Sequence, residues 1–179
     1  SRRRPGCGRS RAGAGSSSTQ HAIEMTKKAA ELSADAALHV CPCYNKPTQE
    51  GLYRHFSAIT KAADIPIIIY NIQGRTGVNM ETSTLARLAK EHSNIVGVKE
   101  ASGNIAQMMD VIDVLPKNFD VLSGDDNLTL PLMALGGKGV ISVASNIIPK
   151  EMHELTEYAS NGDFKKAREL HYKLLPLFK

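Results

Sequence analysis

Lys99 is a candidate nucleophile, because it ends a stretch of chain that looks like a buried strand. It follows the apolar run at 95–98 and precedes Glu100 and a turn of small residues. A position shielded from water disfavours the ammonium, lowers the pKa of the lysine and leaves part of the amine neutral. A neutral amine can attack a carbonyl carbon and form a Schiff base. The alternative is a solvated lysine or an ion pair with Glu100, and position alone favours that alternative.

Two further residues could serve the same chemistry. Tyr70 ends the apolar run "IPIII", and its phenol could donate and accept the protons that carbinolamine formation and dehydration require. Arg75, in the loop "GRTG", carries a guanidinium that can bind a carboxylate through two hydrogen bonds. Each also has an ordinary interpretation, a tyrosine that packs its ring at a rim and an arginine that is a surface charge. Taken together, the three residues predict an enzyme that acts on a keto acid.

The elements that would position these residues alternate regularly along the chain. Apolar, β-branched runs are separated by stretches with helical periodicity, the first of which is predicted to start near Ser18. Pro149 is predicted to open a later helix. Strands that are apolar throughout and separated by single helices predict an α/β fold with a parallel sheet. The predicted strands are "AALHVCP", "IPIIIYN", "IVGVK", "DVLSG" and "GVISVAS".

Two architectures fit this alternation, an open doubly wound sheet and a (β/α)₈ TIM barrel. Residues with polar groups occur at the ends of several different predicted strands. Tyr44 follows its strand, and Tyr70 and Lys99 end theirs. Ser123 and Gly124 end the next predicted strand, and Ser142 lies within the last one. In a barrel the functional groups gather at the carboxyl ends of many strands. A doubly wound sheet concentrates them at one switch point, usually beside a Gly-rich first turn, which is not found here. The pattern therefore favours the barrel.

Composition and charge narrow the class of protein. The chain has 179 residues, of which 42% are hydrophobic and 5% aromatic, and no apolar stretch is long enough to span a bilayer. Three cysteines are too few for a disulfide framework, which favours a reducing compartment. Together with the lack of a spanning stretch, this predicts a cytoplasmic location and no membrane partner. The net charge of +4 is concentrated in the arginines of the first eleven residues, which lack aromatic residues for stacking on bases. We therefore expect a disordered basic tail at 1–16, a single domain at 17–179 and no nucleic-acid partner.

Metal binding and cofactors are not expected from the motifs. The "CPC" at 41–43 has no second Cys or His pair at the spacing of a zinc site. "LGGKG" lacks the Ser or Thr of a phosphate-binding loop and is typical of a helix C-terminus. Asp125 and Asp126 are predicted to cap a following helix rather than to hold a metal.

Five stretches of this sequence resemble the dihydrodipicolinate synthase family, a branch of the class I pyruvate-aldolase superfamily. They are "YNKPTQEGLYRHF", "YN..GRTG", "GVKEASG", "LSGDD" and "GGKGVISVASN". The resemblance implies a TIM barrel that condenses pyruvate with aspartate semialdehyde on the route to lysine. It also implies a homo-oligomer, a dimer or tetramer in the family, that needs no cofactor and no metal.

The resemblance also implies roles for individual residues. Lys99 corresponds to the Schiff-base lysine and Tyr70 to the phenol that relays protons and positions pyruvate. Arg75 corresponds to the arginine that binds the carboxylate of the semialdehyde. Tyr44 corresponds to a tyrosine that crosses a subunit interface and completes the proton relay of a neighbouring subunit.

Two glycine-rich stretches complete the implied site. Gly124 and the backbone of Ile141 correspond to positions that line the pyruvate pocket.

The first strands of the family and its Gly-Thr-Thr-Gly-Glu loop find no counterpart here, and neither do its last helices. The expected fold is therefore an incomplete barrel, from about the third helix through the eighth βα unit plus one C-terminal helix.

Impaired catalysis is expected from that departure, and two alternatives to the synthase activity stay open. One is a non-catalytic barrel fragment that acts only through subunit-interface contacts. The other is a different pyruvate-dependent aldolase of the same superfamily.

Overall fold

The computed structural model describes residues 10–179, which form an α/β fold of parallel strands and connecting helices. The chain divides into two compact units, Ser1–Val98 and Lys99–Lys179, so the boundary falls inside the fourth strand. We call them unit 1 and unit 2. The strands are β1 (Arg11–Gly13), β2 (Ala36–Val40), β3 (Ile67–Asn71), β4 (Ile95–Glu100), β5 (Asp120–Ser123) and β6 (Gly139–Val140). The helices are α1 (Thr19–Glu31), α2 (Gln49–Thr60), α3 (Gln73–Thr76), α4 (Thr82–Glu91), α5 (Ile105–Val114), α6 (Thr129–Ala134), α7 (Pro149–Ser160) and α8 (Phe164–Phe178).

Unit 1 is built on three parallel strands, β1, β2 and β3, in that order. In the register of β2 and β3, Ala37 lies opposite Ile67 and Val40 opposite Tyr70. Strands β2 and β3 are mostly apolar and buried, as expected for a parallel sheet that helices cover. Small side chains permit close packing of β1, α1 and β2 around Ala14, Ala29 and Ala37.

The expectation of a disordered tail at 1–16 is wrong from Arg11 onward. Arg11–Gly13 pair in parallel with Ala36–Leu38, and Ala14 is buried and donates its N–H to the carbonyl of Leu38. The sequence lacks an apolar run here, but strand pairing uses backbone groups, so a three-residue strand needs no such run. The part of the predicted tail at 1–9 lies outside the described residues.

Helix α1 begins as predicted and is attached to the body of unit 1 by two buried histidines. The Ser18 hydroxyl accepts the N–H of His21 and caps the helix. Near its start Thr19 bonds His55 Nδ1 at 2.8 Å, and farther along Thr26 lies 3.2 Å from His39 Nε2. The sequence analysis did not identify these contacts.

Unit 2 contains the end of β4, the parallel pair β5 and β6, and four helices. Helices α6, α7 and α8 pack around a methionine- and leucine-rich core that includes Met133, Met152, Leu155 and Leu174. Pro149 opens α7 as predicted. Strand β6 is shorter than the predicted "GVISVAS", because the chain after Ile141 turns into a 3₁₀ turn at Ala144–Asn146.

Candidate active site

Lys99 lies in β4, one residue before its end, and is buried. Its exposed fraction is only 7%. Burial lowers the pKa of the Lys99 amine, and the negative charges of Asp125 and Asp126 oppose that lowering. The neighbouring Glu100 is also buried, and its carboxylate accepts the backbone N–H of Ser102 at 2.7 Å. The burial agrees with the interpretation of Lys99 as a shielded amine and not with the solvated lysine that position alone favoured.

Gly124, directly after β5, provides the space into which the Lys99 side chain extends. Its N–H donates to the carbonyl of Glu100 at 2.8 Å, which joins the ends of β4 and β5. A Cβ atom at this position would lie 2.6 Å from the Cβ of Ala101 and 3.1 Å from the Cε of Lys99. Because real Cβ atoms essentially never approach another atom to 2.6 Å, only glycine fits here without a shift of its neighbours.

The chain on both sides of Gly124 is held by hydrogen bonds within unit 2. The Ser123 hydroxyl donates to the carbonyl of Asp125 at 2.7 Å, and the N–H of Ile141 donates to the carbonyl of Ser123 at 2.9 Å. Burial raises the pKa of Asp125, and the charge of Lys99 opposes that rise. Unit 2 thus brings Lys99 into contact with Gly124 and connects the backbone of Ile141 to the residue before that glycine.

Asp125 lies at the N-cap position of the 3₁₀ turn Asp126–Leu128, as predicted, but its side chain does not make the expected capping hydrogen bond there. Asp126 Oδ2 instead accepts the backbone N–H groups of Val143 at 3.2 Å and Ala144 at 2.9 Å. These residues are 17 and 18 positions farther along the chain, so pattern analysis of neighbouring residues could not find the bond.

Three of the predicted site residues lie in unit 1. Tyr70 is half-buried near the end of β3, and its carbonyl accepts the N–H of Cys41. Arg75 is exposed in the short helix α3. Tyr44 is 96% exposed and has a backbone φ of +72°, a left-handed conformation that is rare and costly for a tyrosine.

Two searches of the described part of the chain concern other kinds of site. Within residues 10–179, no three His, Cys, Asp or Glu side chains are grouped so that they could hold a metal ion. No helix in this range has both the length and the apolar character needed to cross a membrane.

Comparison with known proteins places these residues in a family. The model of the dihydrodipicolinate synthetase family matches residues 11–179. The 4-hydroxy-tetrahydrodipicolinate synthase of Hydrogenobaculum sp. is 56% identical over 168 residues, which are 94% of this chain and 58% of the relative. The synthase of the same name from Methanocaldococcus jannaschii is 54% identical, with 94% of this chain and 57% of that relative covered.

The solved structures give the same result. The crystal structure of dihydrodipicolinate synthase from Aquifex aeolicus has a TM-score of 0.93 and 52% identity, and the match covers 94% of this chain and 57% of that one. The present chain therefore spans less than two thirds of the length of the relatives it matches. The family match over residues 11–179 and the identities above 50% confirm the resemblance seen in the sequence, and the chain belongs to the dihydrodipicolinate synthetase family.

Proposed function

We propose that this chain supplies the Schiff-base site of a synthase that condenses pyruvate with aspartate semialdehyde. The observation that carries the proposal is the buried Lys99, whose pKa is lowered by burial and which lies against Gly124. The chain matches only part of its relatives, so the activity of a whole synthase is a proposal for it. Its membership of the family supports the choice of reaction.

The lowered pKa of Lys99 suits the first steps of this reaction. The neutral amine attacks the carbonyl carbon of pyruvate, and the resulting carbinolamine loses water to form the imine. Loss of a proton from the former methyl carbon then gives a nucleophilic enamine, which attacks the aldehyde carbon of the second substrate. Tyr70 is proposed to transfer protons during these steps, and Arg75 to bind the carboxylate of the semialdehyde.

Gly124 and the backbone of Ile141 are proposed to line the pyruvate pocket. Their support is the packing of Gly124 against Lys99 and the bond from Ile141 to Ser123. No metal or cofactor is part of the proposed reaction, because the imine itself withdraws electrons from the substrate. A cytoplasmic location stays a prediction from the sequence.

The architecture that we propose is part of a (β/α)₈ barrel. Its support is the parallel pairing within each unit, the helices that lie between successive strands and the TM-score of 0.93. Tyr70, Lys99 and Gly124 each lie at or directly after the carboxyl end of their own strand. In a barrel the carboxyl ends of the strands share one face.

Tyr44 supports a second candidate function, subunit contact without catalysis. A tyrosine that is almost fully exposed and held in a left-handed conformation pays about 1–3 kcal/mol for that conformation. A gain elsewhere would offset this cost, and packing of the ring against a second copy of the chain would supply it. In the proposed synthase the same contact would form a homo-oligomer and place the Tyr44 hydroxyl near a neighbouring site.

Borohydride trapping with pyruvate tests the proposed Schiff base. The purified chain is expected to gain mass on Lys99 when borohydride and pyruvate are added together. Lys99→Arg should lose the adduct, because a guanidinium stays protonated and cannot attack. Lys90→Arg, at an exposed position of α4, is the matched control and should keep it. Absence of an adduct in the wild-type chain at every pH would contradict the proposal.

The substrate assignment needs a separate assay. Aspartate semialdehyde and other aldehydes are offered to the chain together with pyruvate, and consumption of each is measured. Preferential consumption of the semialdehyde supports the synthase reaction. Consumption of another aldehyde instead would indicate a different pyruvate-dependent aldolase, and trapping without any consumption would favour the subunit-contact alternative.

A further inference from the structure

The carboxylate of Asp126 joins two parts of unit 2 that are distant in sequence. It follows β5, and its Oδ2 accepts backbone N–H groups of Val143 and Ala144 at 3.2 and 2.9 Å. Ala144 is the first residue of a 3₁₀ turn, where backbone N–H groups lack partners within the turn itself. A carboxylate is the strongest acceptor for such groups, so the bonds fix the segment between β6 and α7 to the end of β5.

The other oxygen of Asp126 has an unusual environment. Oδ1 is buried and has no hydrogen-bond partner in the described structure. A buried carboxylate oxygen without a donor costs about 1–3 kcal/mol or more. Such a cost is expected to persist where the charge itself has a use. Lys99 is a positive group that this charge influences, since the Asp126 carboxylate opposes the lowering of the Lys99 pKa by burial.

The segment that Asp126 holds also belongs to the proposed pyruvate pocket. Ile141 lies two residues before Val143, and its N–H already donates to Ser123 in β5. Release of Val143 and Ala144 would leave Ile141 attached to β5 at one point and free to move beyond it. The position of the pocket wall therefore depends on a residue that does not itself line the pocket.

We propose that Asp126 is a positioning residue that holds the segment after β6 against β5 and places a negative charge beside the Lys99 amine. This inference rests on the proposed Schiff-base function of Lys99. The charge favours the protonated amine before pyruvate binds and the positively charged imine afterwards. Asp125, the other carboxylate that acts on Lys99, makes no side-chain bond to the segment after β6 in the described structure.

Two variants separate the two roles of Asp126. Asp126→Ala removes both the bonds and the charge, so the pyruvate concentration that gives half-maximal trapping is expected to rise about tenfold. Asp126→Asn keeps an oxygen that can accept from Val143 and Ala144 but removes the charge. It should restore the pyruvate concentration to within about threefold of wild type, while adduct formation becomes several-fold faster at neutral pH because more of the Lys99 amine is neutral.

Asp125→Asn and Asp113→Asn serve as matched controls. Asp125→Asn should change the pH dependence of trapping without the tenfold change in pyruvate concentration. Asp113, exposed on α5, should change neither quantity when replaced by Asn. If Asp126→Ala fails to fold, judged by circular dichroism, Asp126→Ser takes its place, since a serine hydroxyl is too short to reach both N–H groups.

The outcomes distinguish this inference from the proposed function on which it rests. A wild-type chain that forms no adduct contradicts the Schiff-base proposal itself. A wild-type chain that forms the adduct, together with Asp126 variants that match it in pyruvate concentration and pH dependence, overturns the positioning role. A rise in the pyruvate concentration for Asp126→Ala that Asp126→Asn reverses supports it.

Discussion

Both units bury side chains that can carry positive charge, and the partners of those side chains differ. His39 and His55 in unit 1 are 0% and 5% exposed and bond hydroxyl groups of α1. Lys99 in unit 2 is 7% exposed and is influenced by two carboxylates. Burial lowers the pKa in every case, to about 4 for each histidine.

The difference shows how the same physical effect serves structure in one place and chemistry in another. A hydroxyl holds a neutral imidazole in place and offers no charge to stabilise its protonated form. The carboxylates near Lys99 oppose the effect of burial, because their negative charge stabilises the protonated amine that burial disfavours. Chemistry on a carbonyl needs both states, since the amine attacks when neutral and the imine that follows carries a positive charge.

The largest effect that we expect concerns the histidines. Their folded-state pKa values of about 4 lie below the value of 6.5 for the unfolded chain, so unfolding takes up protons between pH 6.5 and 4. The free energy of unfolding should be unaffected above pH 6.5 and fall as pH decreases through this range, by on the order of 3 kcal/mol for each histidine. The lowered pKa values of His92 and His171 act in the same direction.

Urea denaturation at several pH values, followed by circular dichroism, measures this loss. His39→Gln should reduce the acid-dependent part, whereas the control His153→Gln, at an exposed position, should leave it unchanged. A free energy of unfolding that stays constant between pH 6.5 and 4 would contradict the lowered pKa values of the two histidines.

The second prediction concerns the surroundings of Lys99. Gly124→Ala places a Cβ atom 2.6 Å from Ala101 and 3.1 Å from Lys99 Cε, and the strand ends must move apart. We expect a loss of about 1–3 kcal/mol in stability from overpacking. Adduct formation should fall by about 10²-fold because the lysine is displaced.

Gly103→Ala is the matched control for that experiment. Gly103 has a φ of +74°, but a Cβ there would meet no atom within 4 Å. The control should therefore lose some stability through backbone strain and keep its rate of adduct formation. Equal rates for the two variants would show that Gly124 does not shape the lysine site.

The sequence predicted the lysine site better than it predicted the histidines, for a physical reason. A lysine at the end of an apolar run is conspicuous, because charge and burial conflict within a few residues. His39 also lies in an apolar run, "AALHVC", but its burial depends on Thr26 in another element. The long-range bonds of Asp126 and the pairing of β1 with β2 were missed because neither leaves a pattern in the local sequence.

The third prediction tests whether the histidine contacts are structural only. The Thr26 hydroxyl donates to the carbonyl of Ala22 at 2.6 Å. We therefore infer that its oxygen accepts a hydrogen bond from His39 Nε2, which carries the hydrogen of the neutral imidazole. Thr26→Val removes this acceptor, and the buried N–H should cost about 1–3 kcal/mol in stability. Pyruvate adduct formation at Lys99 should remain unchanged, as should both quantities in the control Thr156→Val, whose hydroxyl bonds the His153 carbonyl at an exposed site. A slower adduct in Thr26→Val would mean that the histidine contacts also serve the site.

The smallest effect concerns the alkaline side of the stability profile. Because burial lowers the folded-state pKa of Lys99 below 10.5, the unfolded chain binds more protons in the range between these two values. The free energy of unfolding should therefore rise with pH in that range and fall as the pH is lowered through the folded-state pKa.

Lys99→Met removes this contribution, and an apolar side chain of similar length in a buried position should leave overall stability unchanged or slightly higher. Urea denaturation in alkaline buffers should show a flatter profile for Lys99→Met than for Lys90→Met, whose side chain is replaced at an exposed position. Parallel profiles for the two variants would mean that Lys99 titrates in the folded chain as it does in the unfolded one, and the proposed advantage of its burial would be lost.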